Sequence, residues 1–174
     1  WQNSLERQVA LKVLRAEITA DTTSYSRFLR EAQIAAKLHH PHVVAVHGYG
    51  VEQNTPYYAM ELVNGQTLAQ ILTRLSKAEP EADTLFGRRG SVVFFAKLTE
   101  AFAHVADGLH HAHSNRVTHR DIKPSNLILD KEGRLRILDF GLARLEGQES
   151  LTQSGYFLGT VLYSSPEQAR RKKI

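Results

Sequence analysis

The sequence predicts an α+β fold in which strands come first, a short hinge follows and helices fill the remainder. Three observations predict it. Apolar, β-branched runs with strand alternation occur from Gln8 to Leu14, Val43 to Tyr49 and Tyr57 to Val63. At Met60-Glu61-Leu62-Val63-Asn64-Gly65 the composition turns from strand formers to helix formers. Beyond that point Leu98, Phe102, Val105, Leu109 and Ala112 recur at spacings of four and three, which predicts a long buried helix from about Val92 to His113.

In the first run, alternation puts Val9, Leu11 and Val13 on one face and Ala10, Lys12 and Leu14 on the other. A lone Lys in a strand is ordinarily a snorkelling edge residue. The polar link Ala20-Asp21-Thr22-Thr23-Ser24 can cap a helix from about Tyr25 to Leu38, with Phe28, Ala32, Ala35 and Leu38 as its apolar stripe. Glu31 falls on the apolar side of that helix, either as stripe-edge solvation or because a cation such as Lys12 faces it. The two runs after His39-His40-Pro41-His42 read as an antiparallel pair joined by the turn-like Glu52-Gln53-Asn54-Thr55-Pro56. Thr67 to Leu75 reads as a short helix and Lys77 to Gly90 as an exposed polar insertion.

The chemistry concentrates in His119-Arg120-Asp121-Ile122-Lys123-Pro124-Ser125-Asn126. Pro124 fixes its own φ and pushes Lys123 out of helical geometry, so this predicts an ordered loop that presents polar side chains. Leu127-Ile128-Leu129 and Leu135-Arg136-Ile137-Leu138 flank Asp130-Lys131-Glu132-Gly133, a hairpin whose turn uses the positive φ open to Gly133. Asn126 and Asp139 then lie together at its open end, and an amide oxygen with a carboxylate suits Mg²⁺, a hard cation that binds phosphate. A hydroxyl-rich stretch with Ser150, Thr152, Ser154, Tyr156 and Thr160 leads to Ser164-Ser165-Pro166-Glu167.

Composition narrows the classes. With 174 residues, 42% hydrophobic and 23% charged, the chain has the makeup of one globular domain rather than a disordered one. The net charge of +4 draws on the terminal Arg170-Arg171-Lys172-Lys173, which reads as a solvated end and not as a nucleic-acid footprint. The absence of Cys excludes disulfides and thiolate metal sites and fits the cytoplasm as the default compartment. No apolar run reaches the roughly 18 residues of a membrane helix, so no membrane contact is expected in this segment, while a membrane span or anchor in the longer parent protein stays open as an expectation. The abrupt ends of the chain predict a fragment of something longer. The His39, His40, His42 and His110, His111, His113, His119 groups lack the carboxylates and thiolates that would complete a zinc site.

Together these residues resemble the protein kinase family, most closely its bacterial Ser/Thr members. Val9-Ala10-Leu11-Lys12 looks like the strand with the phosphate-binding Lys, Glu31 like its partner, and His119-Arg120-Asp121 with Asn126 like the catalytic loop. Asp139-Phe140-Gly141 looks like the metal-binding triplet and Ser165-Pro166-Glu167 like the close of the activation segment. The resemblance implies a kinase-like bilobal fold, truncated at both ends: 1–60 a β-rich N-lobe without its Gly-rich loop, 61–65 the hinge, and 66–174 part of the helical C-lobe.

It also implies an ATP-dependent protein serine/threonine kinase using Mg²⁺. Lys12, held by Glu31, would grip the α- and β-phosphates. Asp139 and Asn126 would hold the metal, Asp121 would accept the proton of the acceptor hydroxyl, and Lys123 would steady the γ-phosphoryl. Met60 resembles the residue guarding the adenine pocket, the backbone of Glu61 and Val63 would bond adenine, and Ala10 and Ile128 would pack on its faces. Lys123 fits the Ser/Thr branch, Thr160 would contact Asp121 and Lys123, and Ser165 stands where most members have Ala. Protein substrates, activation-segment phosphorylation at Thr152 or Ser154 read by Arg120, and dimerisation for autophosphorylation follow as expectations. Lacking the Gly-rich loop and a partner for Glu167, the fragment alone is expected to be poorly stable and nearly inactive. Two other readings fit fewer residues. A pseudokinase scaffold would not need Lys12, Glu31, Asp121, Asn126 and Asp139 all intact, and a small-molecule phosphotransferase of the aminoglycoside type usually lacks Lys123 and Ser165-Pro166-Glu167.

Overall fold

The structure is a computed structural model and describes residues 7–13, 32–53, 55–77, 86–88, 90–140 and 161–170. Its first sheet has three strands, β1 (Val9–Val13), β2 (Val46–Glu52) and β3 (Thr55–Glu61), in the order β1-β3-β2. Both pairings are antiparallel, with Lys12 opposite Tyr58 and Ala10 opposite Met60. The predicted alternation in β1 is present: Leu11 and Val13 are exposed while Ala10 and Lys12 lie on the inner, half-buried side. The strand expected from Val43 starts only at Val46, because Val43 instead bridges to Ile137 and Val44 donates to the Ile137 carbonyl at 2.9 Å.

A second sheet follows, made of β4 (Gly65–Thr67), β5 (Leu127–Asp130) and β6 (Leu135–Ile137) in the order β4-β5-β6. Every residue of β5 and β6 is buried. The turn between them has Gly133 at φ +80°, and the buried Asp130 carboxylate accepts from the Arg134 backbone N–H and its Nε, both at 2.8 Å. Gly65 is required in β4, since a Cβ there would lie 2.2 Å from the Leu129 carbonyl oxygen.

Helix α1 (Leu68–Ser76) starts one residue later than predicted because Thr67 caps it, in a reciprocal box with Gln70. Helix α2 (Val92–Ser114) is capped by the Ser91 hydroxyl. Its buried stripe is Ala101, Val105, Gly108 and Ala112, so Phe102, expected in the core, is corrected to 44% exposed. The small residues let α2 approach the second sheet closely: a Cβ on Gly108 would sit 3.1 Å from Ile137 Cδ1. The insertion is not wholly exposed either, because Phe86 is buried edge-on against Phe94. One contiguous core joins Ala32, Ala35 and Leu38, which end a helical turn, to Tyr58, Leu129, Leu135, Ile137 and Phe140. A last short helix, α3 (Pro166–Ala169), follows a 3₁₀ turn at Val161–Tyr163.

Candidate functional site

The loop after α2 is ordered by its own side chains. Lys123 is extended at φ −156°, and Pro124 opens a 3₁₀ turn to Asn126, as its fixed φ dictates. Asn126 Nδ2 then reaches back to the Asp121 carbonyl at 2.8 Å and to Asp121 Oδ2 at 3.1 Å. Lys123 Nζ pairs with the same oxygen at 2.7 Å. The other oxygen, Oδ1, is buried and makes no hydrogen bond among the described residues. Asp121, Lys123 and Asn126 are therefore brought together as the sequence predicted.

His119 joins this loop to the hairpin. Its Nε2 bonds the Leu138 carbonyl at 2.8 Å and its Nδ1 accepts from the Asp121 backbone N–H at 3.2 Å. Only the neutral tautomer protonated on Nε2 satisfies both. Burial holds the ring below the ordinary imidazole range, outweighing the Leu138 carbonyl and the Asp121 and Asp139 charges. Phe140 packs on the ring, centroids 4.9 Å apart. The hairpin closes with the Leu138 N–H on the Asn126 carbonyl at 2.9 Å, which brings Asn126 and the residue before Asp139 together at its open end. Arg120 and Asp139 both hold positive φ, +63° and +54°, a backbone state that non-glycine residues adopt where the surroundings impose it.

Asp139 faces the first sheet. Lys12 Nζ holds its Oδ2 at 2.8 Å, and the Tyr58 hydroxyl donates to Oδ1. Burial first, then the Asp139 charge and the hydrogen bond to it, push the Tyr58 phenol far above its ordinary range, so it remains a donor. Glu31, the expected partner of Lys12, lies outside the described residues, as do Gly141, Thr152, Ser154 and Thr160.

The predicted adenine-side residues are all described. Ala10 and Met60 are opposite each other, Val63 is half-buried and Ile128 is 9% exposed. The Glu61 N–H is already given to the Ala45 carbonyl at 2.9 Å. The Glu61 carboxylate takes a bidentate grip from Arg136, 2.5 and 2.7 Å, and that hydrogen bonding holds it below the ordinary carboxylate range. Sequence reasoning missed Arg136 and Tyr58. A cation inside the apolar run of β6, and a Tyr on the same strand face as Met60, were the available signals.

Four of the other histidines stack in pairs. His42 lies on His104 at 4.4 Å and His40 on His111 at 5.3 Å, and no group of three or more His, Cys, Asp or Glu among the described residues is placed to hold a metal ion. Burial, then the neighbouring His111 and His42, lower the His40 pKa. Glu167, at the start of α3, is fully exposed and its carboxyl is held below the ordinary range by its own backbone N–H and the Ser165 hydroxyl. Among the described residues no helix is long and apolar enough to cross a membrane.

A sheet with an inward Lys, a buried hairpin that ends in a carboxylate, and a loop that cradles another carboxylate define a kinase-type site. The chain belongs to the protein kinase domain family, which matches it over residues 1–174. It is 35% identical to the serine/threonine-protein kinase PrkC of Bacillus subtilis over 95% of its length, and 37% identical to the serine/threonine-protein kinase PknB of Mycobacterium tuberculosis over 98%. It spans about a quarter of those relatives, 23% and 26% respectively. Among solved structures it is similar to the kinase domain of Mycobacterium tuberculosis PknI in a double mutant, with a TM-score of 0.69 and 26% identity, covering 97% of this chain and 58% of that one. The expected fold, a partial kinase domain, is borne out.

Proposed function

We propose that the protein containing this chain is an ATP-dependent protein serine/threonine kinase, with 1–60 as N-lobe, 61–65 as hinge and 66–174 as C-lobe. The observation that carries this is the asymmetry of Asp121: Oδ2 is fixed by Lys123 and Asn126, while the buried Oδ1 has no partner among the described residues. A carboxylate so oriented is suited to accept the proton of an incoming hydroxyl, because one oxygen is locked and the other is poised and desolvated. Lys123 beside it neutralises charge near the transferred phosphoryl, and positioning of this kind is most of what phosphoryl transfer asks of a protein.

The donor set fits a hard divalent cation. Asn126 spends its Nδ2 on Asp121, which leaves the amide oxygen as its ligand atom, and the Asp139 carboxylate stands at the same end of the hairpin. When bound, Mg²⁺ would supply positive charge to neutralise the phosphates. Lys12 would hold the α- and β-phosphates, joined by Glu31, and Ala10, Met60, Glu61, Val63 and Ile128 would form the adenine pocket. The serine/threonine choice is supported by Lys123 and by the names of the relatives, which also support proteins as substrates. A direct test is transfer of the γ-phosphoryl of ATP to Ser/Thr peptides against small-molecule acceptors by the full-length protein. Transfer to small molecules alone would overturn the reading.

A further inference from the structure

Tyr58 is the residue at this site that the sequence motifs leave unassigned. It occupies the middle of β3, opposite Lys12, and is 1% exposed. The two residues share one carboxylate, the Tyr58 hydroxyl on Asp139 Oδ1 and the Lys12 ammonium on Oδ2, with the ammonium 5.7 Å from the Tyr58 ring centroid. They differ in freedom. Lys12 is a flexible side chain, 34% exposed, whereas a ring enclosed in a close-packed core has one position.

We infer that Tyr58 is a positioning residue for Asp139: its hydroxyl anchors Oδ1, so that Oδ2, held by the movable Lys12, is the oxygen exchanged to the divalent cation. This rests on the kinase reading above. A carboxylate turns freely about its terminal bond and can offer either oxygen. Anchoring one of them fixes where the other points before any ligand arrives, and a preoriented ligand atom saves the ordering cost of binding. The same geometry couples two events. An ammonium and a divalent cation would repel each other at one oxygen, so a cation held at Oδ2 would free Lys12 for phosphate oxygens. The opposite reading, in which the hydroxyl blocks the carboxylate, makes the opposite prediction for its removal.

The test is Tyr58→Phe in the full-length protein, which keeps the ring and its burial and removes only the donor. Binding of a fluorescent ADP analogue is measured at equilibrium, without metal and across a Mg²⁺ titration. Loss of a hydrogen bond to a charged group predicts a rise of about tenfold in the Mg²⁺ concentration for half-maximal binding. Metal-free affinity stays within about twofold, because the hydroxyl touches no nucleotide in this assignment. An unchanged or lowered Mg²⁺ requirement overturns the inference and leaves the kinase reading standing. Absence of Mg²⁺-dependent nucleotide binding in the unsubstituted protein overturns both.

Discussion

The two carboxylates of the site are held in different ways. Asp121 is bonded by groups close to it in sequence, Lys123, Asn126 and the ring of His119, all on a loop seated against the buried second sheet. Asp139 is bonded across the molecule, by Lys12 and Tyr58 of the first sheet, whose β1 face is open to solvent. Local bonds require little chain ordering beyond what the loop already has, so the Asp121 cluster is built to stay formed. A half-exposed, long-range ion pair is weak and exchangeable. Under the proposed function, the difference separates a fixed acceptor from an adjustable ligand grip.

The largest effect expected is from Asp121→Asn. It should lower phosphotransfer by about 10³-fold or more while Mg²⁺-nucleotide affinity stays within a few-fold, measured by steady-state kinetics and equilibrium binding. An equal fall in nucleotide affinity would erase the separation between the two carboxylates. Next is His119→Ala, which opens a cavity and strands the Leu138 carbonyl and the Asp121 N–H. A stability loss of about 3 kcal/mol is expected in denaturant unfolding.

Arg136→Met should follow at about 1–3 kcal/mol, since it removes a largely buried guanidinium from a Glu61 carboxylate that can still reach water. Lys12→Met sharpens the contrast from the other side. It should cut nucleotide affinity and turnover, yet shift stability by no more than about 1 kcal/mol, because the ion pair it breaks is half-exposed and screened. A loss as large as that of His119→Ala would show the pair to be structural.

The mildest expectation concerns pH. His119, His40 and His47 all have lowered proton affinity in the folded state, chiefly through burial. The unfolded chain therefore binds more protons once the pH falls through the ordinary imidazole value of about 6.5. Their contribution to stability is full above that pH and is lost as pH drops below it. A proton on His119 Nδ1 would also face the Asp121 N–H, loosening the loop itself. Melting temperature should fall between pH 7.5 and 5.5, and a flat profile would contradict this. Glu61 adds a further loss at lower pH, as its depressed carboxyl group protonates.

Much of this was legible in the sequence wherever the determinant is local. The hairpin followed from Gly133 and its flanking runs, the loop geometry from Pro124, and the Asp121 cluster from residues a few positions apart. What depends on distant partners was not. Strand β4 is a polar tripeptide with no alternation of its own, and it exists because Leu129 and its neighbours in β5 offer it a ladder. Tyr58 reads as one more aromatic strand residue until the register sets it across from Lys12, and Arg136 reads as a lone cation until Glu61 closes on it. Phe102 shows the converse error, a correct helical spacing at the margin of the stripe, where it is left 44% exposed.

Gly108 has a consequence for tolerance. The helix that leads to the Asp121 loop and the strand that leads to Asp139 meet at this glycine, with Ile137 Cδ1 at 3.1 Å and the His42 carbonyl oxygen at 3.4 Å from where even one added carbon would sit. Asp121 and Asp139, the acceptor and the metal ligand of the proposed function, follow this helix and this strand in the chain. Any side chain at position 108 would press on both elements, so a residue that takes no chemical part limits how closely they approach.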